Sequence, residues 1–405
     1  MGKVKSKLGK CRRGLFLLIL ALSGIAGSSA AHAQDVSGPQ NSGAQSSPSF
    51  EQLAERAHAA ADANRIPEAI HLYQDATALR PSWSEGWWSL GTMFFDSNQF
   101  IKARDAFLHF VSVEQRQPGP GFGMLGLTEF ELKDYRNALA AVERGRKLGL
   151  GDNPAFVNRV LFIDGILNND FGLPEIALVR LTRVANQLAA EHPEAPKDAV
   201  LGDTELLDAF GLAALRIEQL PKKISAQRTA LVRQAGHAQA LIALQDRVAA
   251  GQEIKELVEQ NPAAPGVHYM YGIYLLKEDP TSATTEFRRE IEVSPQNVAA
   301  RIELALAFLR TSDYKQGLPY AQKAVALAPD NFVAHVACGR LWLGLGTTDR
   351  ALRELRTAVR LSPGSPDAHF ALSRALTEAG QSGEAAKERA EFERLKAISD
   401  ANDRR

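Results

Sequence analysis

Glycines 121, 123 and 126, in the stretch GPGFGMLGLTEF, spell G-x-G-x-x-G. That spacing lets backbone amides approach a pyrophosphate when a buried strand leads into it and a helix starts behind it. Three histidines, His268, His335 and His369, are candidate metal ligands, and Cys338 is a candidate thiol nucleophile. The chain has no H-E-x-x-H, no G-x-S-x-G, no G-x-x-x-x-G-K-[ST] and no pair of Cys-x-x-Cys sites. Asp and Glu are scattered, and no spacing singles out an acid/base pair. What these residues can do depends on the elements that carry them.

Those elements come from an internal period. Pro295, Pro329 and Pro363 are spaced by 34 residues, and so are Gly317, Ala351 and Ala385. Between them lie two runs of apolar and small residues at helical spacing, parted by breaks such as Thr311-Ser312-Asp313 and Gly346-Thr347. The period predicts two helices per unit. One such unit cannot bury its apolar stripe alone, so neighbours must stack.

These residues resemble the tetratricopeptide repeat. In EGWWSLGTMFFDSNQFIKARDAFLHF, Trp87, Leu90, Gly91, Phe94, Ala103 and Phe107 fall on the patterned places, and Ala57, Ala69, Tyr73, Ala76 and Pro81 do so in the unit before it. Further units are assigned near 119–152, 158–191, 231–264, 265–297, 298–331, 332–365 and 366–399. Those at 158 and 231 are degenerate, and the one at 265 is one residue short. The resemblance implies an all-α fold, an α-α superhelical solenoid, whose concave face takes a protein or peptide. Carrying the family's groove-lining places over gives Trp88, Phe95, Met124, Leu127 and Phe130 as an apolar strip toward the N-terminus. Toward the C-terminus the same places give Tyr269, Lys277, Arg310, Arg340, Phe370 and Arg374, aromatic and basic. The carboxylate-clamp version of the family is not supported, because its first-unit places hold Ala54 and His58.

In this frame Gly126 is the small residue that lets two helices approach, and a helix, KARDAFLHFVSV, precedes the glycines where a strand would be needed. The repeat sets His335 and His369 on successive units, whose axes lie ~8–10 Å apart, too far for both to reach one zinc ion at about 2 Å. They read as packing residues where Trp is common. Cys338 reads as a buried small hydrophobe. No cofactor, no metal and no enzyme activity are expected. Trp88 and Phe95 lie one helical step from the core residues Trp87 and Phe94, either toward the groove or against the next unit.

The first 33 residues stand apart: six basic residues, the apolar LFLLILALSGIAG and then Ala31-His32-Ala33. This is the pattern of a secretory signal peptide cleaved after Ala33, too short in its apolar part for a spanning helix. Its removal takes six basic and no acidic residues from a balance of 47 and 47, leaving an acidic chain unsuited to nucleic acid. Cys11 leaves with it, so Cys338 has no disulfide partner. The domain reading is therefore a signal peptide at 1–33, a Ser/Gln/Gly/Pro tether at 34–49 and an N-terminal array at 50–191. An irregular loop and helix at 192–225, a C-terminal array at 226–399 and a tail at 400–405 complete it. The expected product is a periplasmic or secreted scaffold for a protein or peptide partner, with no membrane span after cleavage. A part in assembling a larger envelope complex is the alternative, and an enzyme or small-ligand protein is the least favoured reading. The sequence does not speak to oligomeric state.

Overall fold

A computed structural model describes residues 48–403. The expected signal peptide and all but the last two residues of the expected tether lie outside them. Ser49, placed in the tether, instead caps the first helix: its hydroxyl accepts from the Gln52 amide, and the Gln52 side chain accepts from the Ser49 amide. Among the described residues there are twenty α-helices and no strand, the all-α class that the period predicts. None of these helices is long and apolar enough to cross a membrane.

The chain divides into two compact units between Asp246 and Arg247. The first holds four helix hairpins: α1 (Phe50–Asp62) with α2 (Ile66–Leu79), α3 (Ser84–Asp96) with α4 (Phe100–Val113), α5 (Gly119–Glu131) with α6 (Tyr135–Leu148), and α7 (Pro154–Asp170) with α8 (Pro174–Ala190). After them come the short α9 (Pro196–Leu201), α10 (Thr204–Ala214), a 3-10 turn at Pro221–Lys223 and α11 (Ala226–Ala243). The second unit opens with α12 (Arg247–Gln260). Its hairpins are α13 (Val267–Leu275) with α14 (Pro280–Val293), α15 (Val298–Arg310) with α16 (Tyr314–Leu327), α17 (Phe332–Gly344) with α18 (Thr348–Leu361), and α19 (Pro366–Glu378) with α20 (Ser382–Asp403).

The same backbone device closes most hairpin turns. A residue in the left-handed region, Asn64, Asn98, Lys133, Gly172, Ser312, Gly346 or Gly380, follows the first helix. The next residue's amide then reaches back to a carbonyl of the last turn, as Gln99 does to Phe94 and Thr347 to Trp342. Asn297, Asn331 and Ser365, again 34 apart, cap the first helices of three units in the second half with side-chain oxygens. Within a hairpin, a small residue on the first helix meets a large one on the second. A Cβ on Gly126 would stand 2.5 Å from Val142, and Gly91 faces Phe107 in the same way.

The unit boundary falls beyond the irregular segment 192–225 rather than within it. The unit expected at 231–264 is not one hairpin, because α11 pairs with α10, in the first unit, while α12 packs on α13, in the second. The cause is close backbone approach. A Cβ on Gly211 would stand 1.8 Å from the Val232 carbonyl oxygen, and one on Gly236 would stand 1.8 Å from that of Leu207. Within the segment expected as an irregular loop and helix, 192–225, the α10 helix ends at Ala214.

Gly236→Ala is therefore expected to destabilise the first unit by about 1–3 kcal/mol through overpacking. Gly364→Ala, where an added Cβ meets nothing within 4 Å, should change stability little. Thermal unfolding of the two variants checks this, and equal melting would contradict it.

Candidate functional site

The G-x-G-x-x-G stretch lies inside α5, and protein fills the space above each of its glycines. A Cβ on Gly121 would meet Phe110 at 2.3 Å, one on Gly123 would meet Phe156 at 2.7 Å, and Gly126 is covered by Val142. No room for a pyrophosphate remains. Cys338 is buried, and burial first, then the Glu354 charge, pushes its thiol up to about 12. It is a packing residue, not a nucleophile.

The three histidines are buried as well, but they are polar fasteners rather than packing residues. In each, Nε2 lies against the carbonyl oxygen of the proline six residues earlier: Pro262 at 2.9 Å, Pro329 at 3.0 Å and Pro363 at 3.0 Å. Nδ1 lies against a glutamate on the second helix of the same hairpin: Glu286 at 2.6 Å, Glu354 at 2.6 Å and Glu388 at 2.5 Å. Both ring nitrogens are thus taken by protein atoms. The proline contact recurs with other side chains: Trp87 Nε1 donates to the Pro81 carbonyl at 2.8 Å, and an Arg301 guanidinium nitrogen donates to that of Pro295 at 2.7 Å. The sequence signal was a donor six residues after each proline, with Glu 18 or 19 residues further on in the histidine units.

Of the residues expected to line an apolar strip, Met124, Leu127 and Phe130 are buried in the core. They line no open face, because α5 packs against α4, α6 and α7 and is covered along almost all of Gly119–Phe130. Trp88 and Phe95 are half-buried. Trp88 packs on Phe107 and Phe110, with ring centroids 5.9 and 5.2 Å away, and Phe95 packs on Phe100 at 5.5 Å. Beside Phe95, burial raises the Asp96 carboxyl to about 6. Burial also raises Asp164, against the opposing charges of Arg180 and Arg146, which fix it between α6, α7 and α8.

In the second unit Tyr269 is buried against Phe287, and its amide donates to Glu290. Lys277 is exposed but follows the end of α13, in the turn rather than on the helix. Arg310, Arg340, Phe370 and Arg374 are exposed on α15, α17 and α19. Among the described residues no ion pair joins Arg310, Arg340 or Arg374 to a carboxylate. Arg374 opens onto a hollow of about 430 Å³ between α19 and α20, lined also by Thr377, Glu378, Ser382 and Arg389.

Comparison with known proteins places this geometry. The family model described as tetratricopeptide repeat matches residues 55–118, 277–332 and 339–402. Among solved structures, MamA from Desulfovibrio magneticus RS-1 (residues 41 to the end) is 22% identical with a TM-score of 0.38, covering 42% of this chain and 97% of that one. YrrB, titled a TPR protein with an unusual peptide-binding site, is 19% identical with a TM-score of 0.36, covering 41% and 86%. No curated protein matches.

The Asp96 carboxyl should titrate with a midpoint near 6, followed by carboxyl NMR with Asp96→Asn to assign the signal. Because the folded state favours the neutral acid, its contribution to stability is present below about 3.8 and lost as pH rises through about 6. A midpoint near 3.8 would contradict the burial.

Proposed function

We propose, from the premise that the chain is a tetratricopeptide-repeat protein, that it is an exported scaffold gripping a protein or peptide partner. The family is one of protein-interaction scaffolds. The finer reading, that the partner lies along the first helices of the second unit, is carried by one observation. Arg340 and Arg374 stand at equivalent places on neighbouring first helices, exposed and unpaired among the described residues, beside the exposed ring of Phe370.

Unpaired surface arginines next to an aromatic ring, on a chain that is acidic once its leader is removed, fit a partner segment with carboxylates and at least one apolar side chain. Arginine can hold a carboxylate through two parallel hydrogen bonds, and arginines and aromatics are the usual hot spots of interfaces. Trp88 and Phe95 give the first unit a smaller, half-covered aromatic contact of its own. The pattern of residues 1–33 supports export to the periplasm or beyond.

A second reading, a role in assembling an envelope complex, draws on the first unit by itself. Phe171, Leu173, Ile176 and Val179, all in the first unit, are exposed at the turn between α7 and α8 and along the start of α8.

The test pairs two variants of the full chain with capture of its partner from envelope extract. Arg340→Glu with Arg374→Glu should weaken capture by ~1–3 kcal/mol at unchanged helicity and melting. Trp88→Ala with Phe95→Ala should have a smaller effect. Full capture by the arginine variant would move the partner off this face. N-terminal sequencing of this chain itself, recovered from fractionated cells, should begin at Gln34, and an intact cytosolic Met1 form would end the export reading.

A further inference from the structure

The α18 helix sorts its side chains cleanly by type. Ala351, Leu352, Leu355 and Ala358 are buried in the core that α18 shares with α17 and α19, while Arg350, Arg353, Arg356 and Arg360 are exposed. At 1.5 Å of rise per residue the four arginines leave the helix along a line about 15 Å long.

The repeat does not require them. The residues 34 positions earlier, on α16, are Gln316, Pro319, Gln322 and Ala326. Like charges three or four places apart on a helix also repel, so the row weakens the helix that carries it, and only Arg360 gains from the carbonyl end. Folding alone gives no reason for the row.

The protein does little to neutralise it. Among the described residues no ion pair joins Arg350, Arg353 or Arg360 to a carboxylate, and Arg356 meets Glu384 at 3.1 Å in an exposed pair. Glu354 is turned to His335, which leaves Asp349 as the exposed acid of the helix. Arg350 lies over the half-buried Trp342 ring, 4.5 Å from its centroid. The preceding second helix adds Lys315 and Lys323, both exposed.

We propose that this face of α18 is a docking strip for an anionic phospholipid bilayer. The guanidinium fork matches two oxygens of a phosphate group. A protein interface would need apolar anchors at its centre, and among the described residues α14, α16 and α18 expose no large hydrophobic side chain. Charge without anchors suits a diffuse surface, to which each basic residue contributes separately. The indole of Trp342, beside the strip, belongs to a side-chain class that favours the headgroup level. A nucleic acid also offers phosphates, but as a long polymer it would run beyond the strip onto a chain that is acidic after residue 33. Arg340 and Arg374 stand on first helices, so the strip is separate from the surface proposed for the partner.

The experiment uses the chain from Gln34, which keeps every described residue and lacks a basic, apolar leader that would itself hold a bilayer. Sedimentation with vesicles of phosphatidylcholine, alone or with about one third phosphatidylglycerol, reads binding at ~0.15 M salt and at lower salt. One variant carries Arg350→Gln, Arg353→Gln, Arg356→Gln and Arg360→Gln. A second carries only Arg353→Gln and Arg360→Gln, which removes no hydrogen bond or ion pair of the fold. A third carries Arg340→Gln and Arg374→Gln.

The natural chain should bind the anionic vesicles more tightly, and more so at low salt. The double variant on α18 should lose about thirtyfold, the quadruple variant should fall to the level of neutral vesicles, and the third variant should bind like the natural chain. Equal binding by the natural chain and the α18 variants, equal loss in the third variant, or tighter arginine-dependent binding to a DNA duplex than to the anionic vesicles would overturn the proposal.

Discussion

Five of the described helices, α2, α12, α14, α16 and α18, are each followed two residues past their end by a proline whose carbonyl group, at the junction with the next hairpin, needs a donor. The chain answers the same need five times from the side chain six residues on: Trp87, His268, Arg301, His335 and His369. An indole, an imidazole and a guanidinium share little beyond a planar N–H group at reach, so the geometry selects the donor and not the side chain. Leaving such a carbonyl unpaired would cost about 1–3 kcal/mol where it is buried. The bond fixes where the next first helix begins, and with it the register of everything that helix carries.

Within hairpins the constraint is steric. A small residue on the first helix makes room for a large one on the second, as Gly91 does for Phe107 and Gly126 for Val142. Junction and hairpin together dictate which residues remain at the surface. In the second unit the histidine side of the first helices is consumed by the junctions, while Arg340 and Arg374, five residues after His335 and His369, are turned to solvent. The exposed arginines and the buried histidines are thus two faces of one repeat, and a change that loosens the junction also displaces the surface proposed to hold a partner.

The period, the hairpins and the dismissal of the glycine motif were legible in the sequence because each rests on local spacing: prolines 34 apart, a small residue every unit, a helix where a strand was required. The surface was less legible. Met124, Leu127 and Phe130 were taken from places that are open in an average repeat, but the glycines of α5 let neighbouring helices close over it on every side. Tyr269 is lost to the core in a similar way, against Phe287. The pairing of α10 with α11 depends on Gly211 and Gly236 meeting carbonyl groups far away in sequence, a contact that no period announces. The histidine triads were written plainly, as Pro, His and Glu at fixed offsets, but they appear only when polar side chains are asked where their hydrogen bonds go.

The junction bond is tested most directly where a single atom can be removed. Replacing Trp87 by benzothienylalanine keeps the shape of the ring and its stacking on His109, whose ring centroid is 4.3 Å away, and deletes only the N–H that reaches Pro81. Amide exchange across the α2–α3 junction should then show opening increased roughly fivefold, the loss of about 1 kcal/mol, with the α5–α6 hairpin unchanged. Exchange at the junction indistinguishable from the natural chain would mean that ring packing, and not the donor, holds the repeats together.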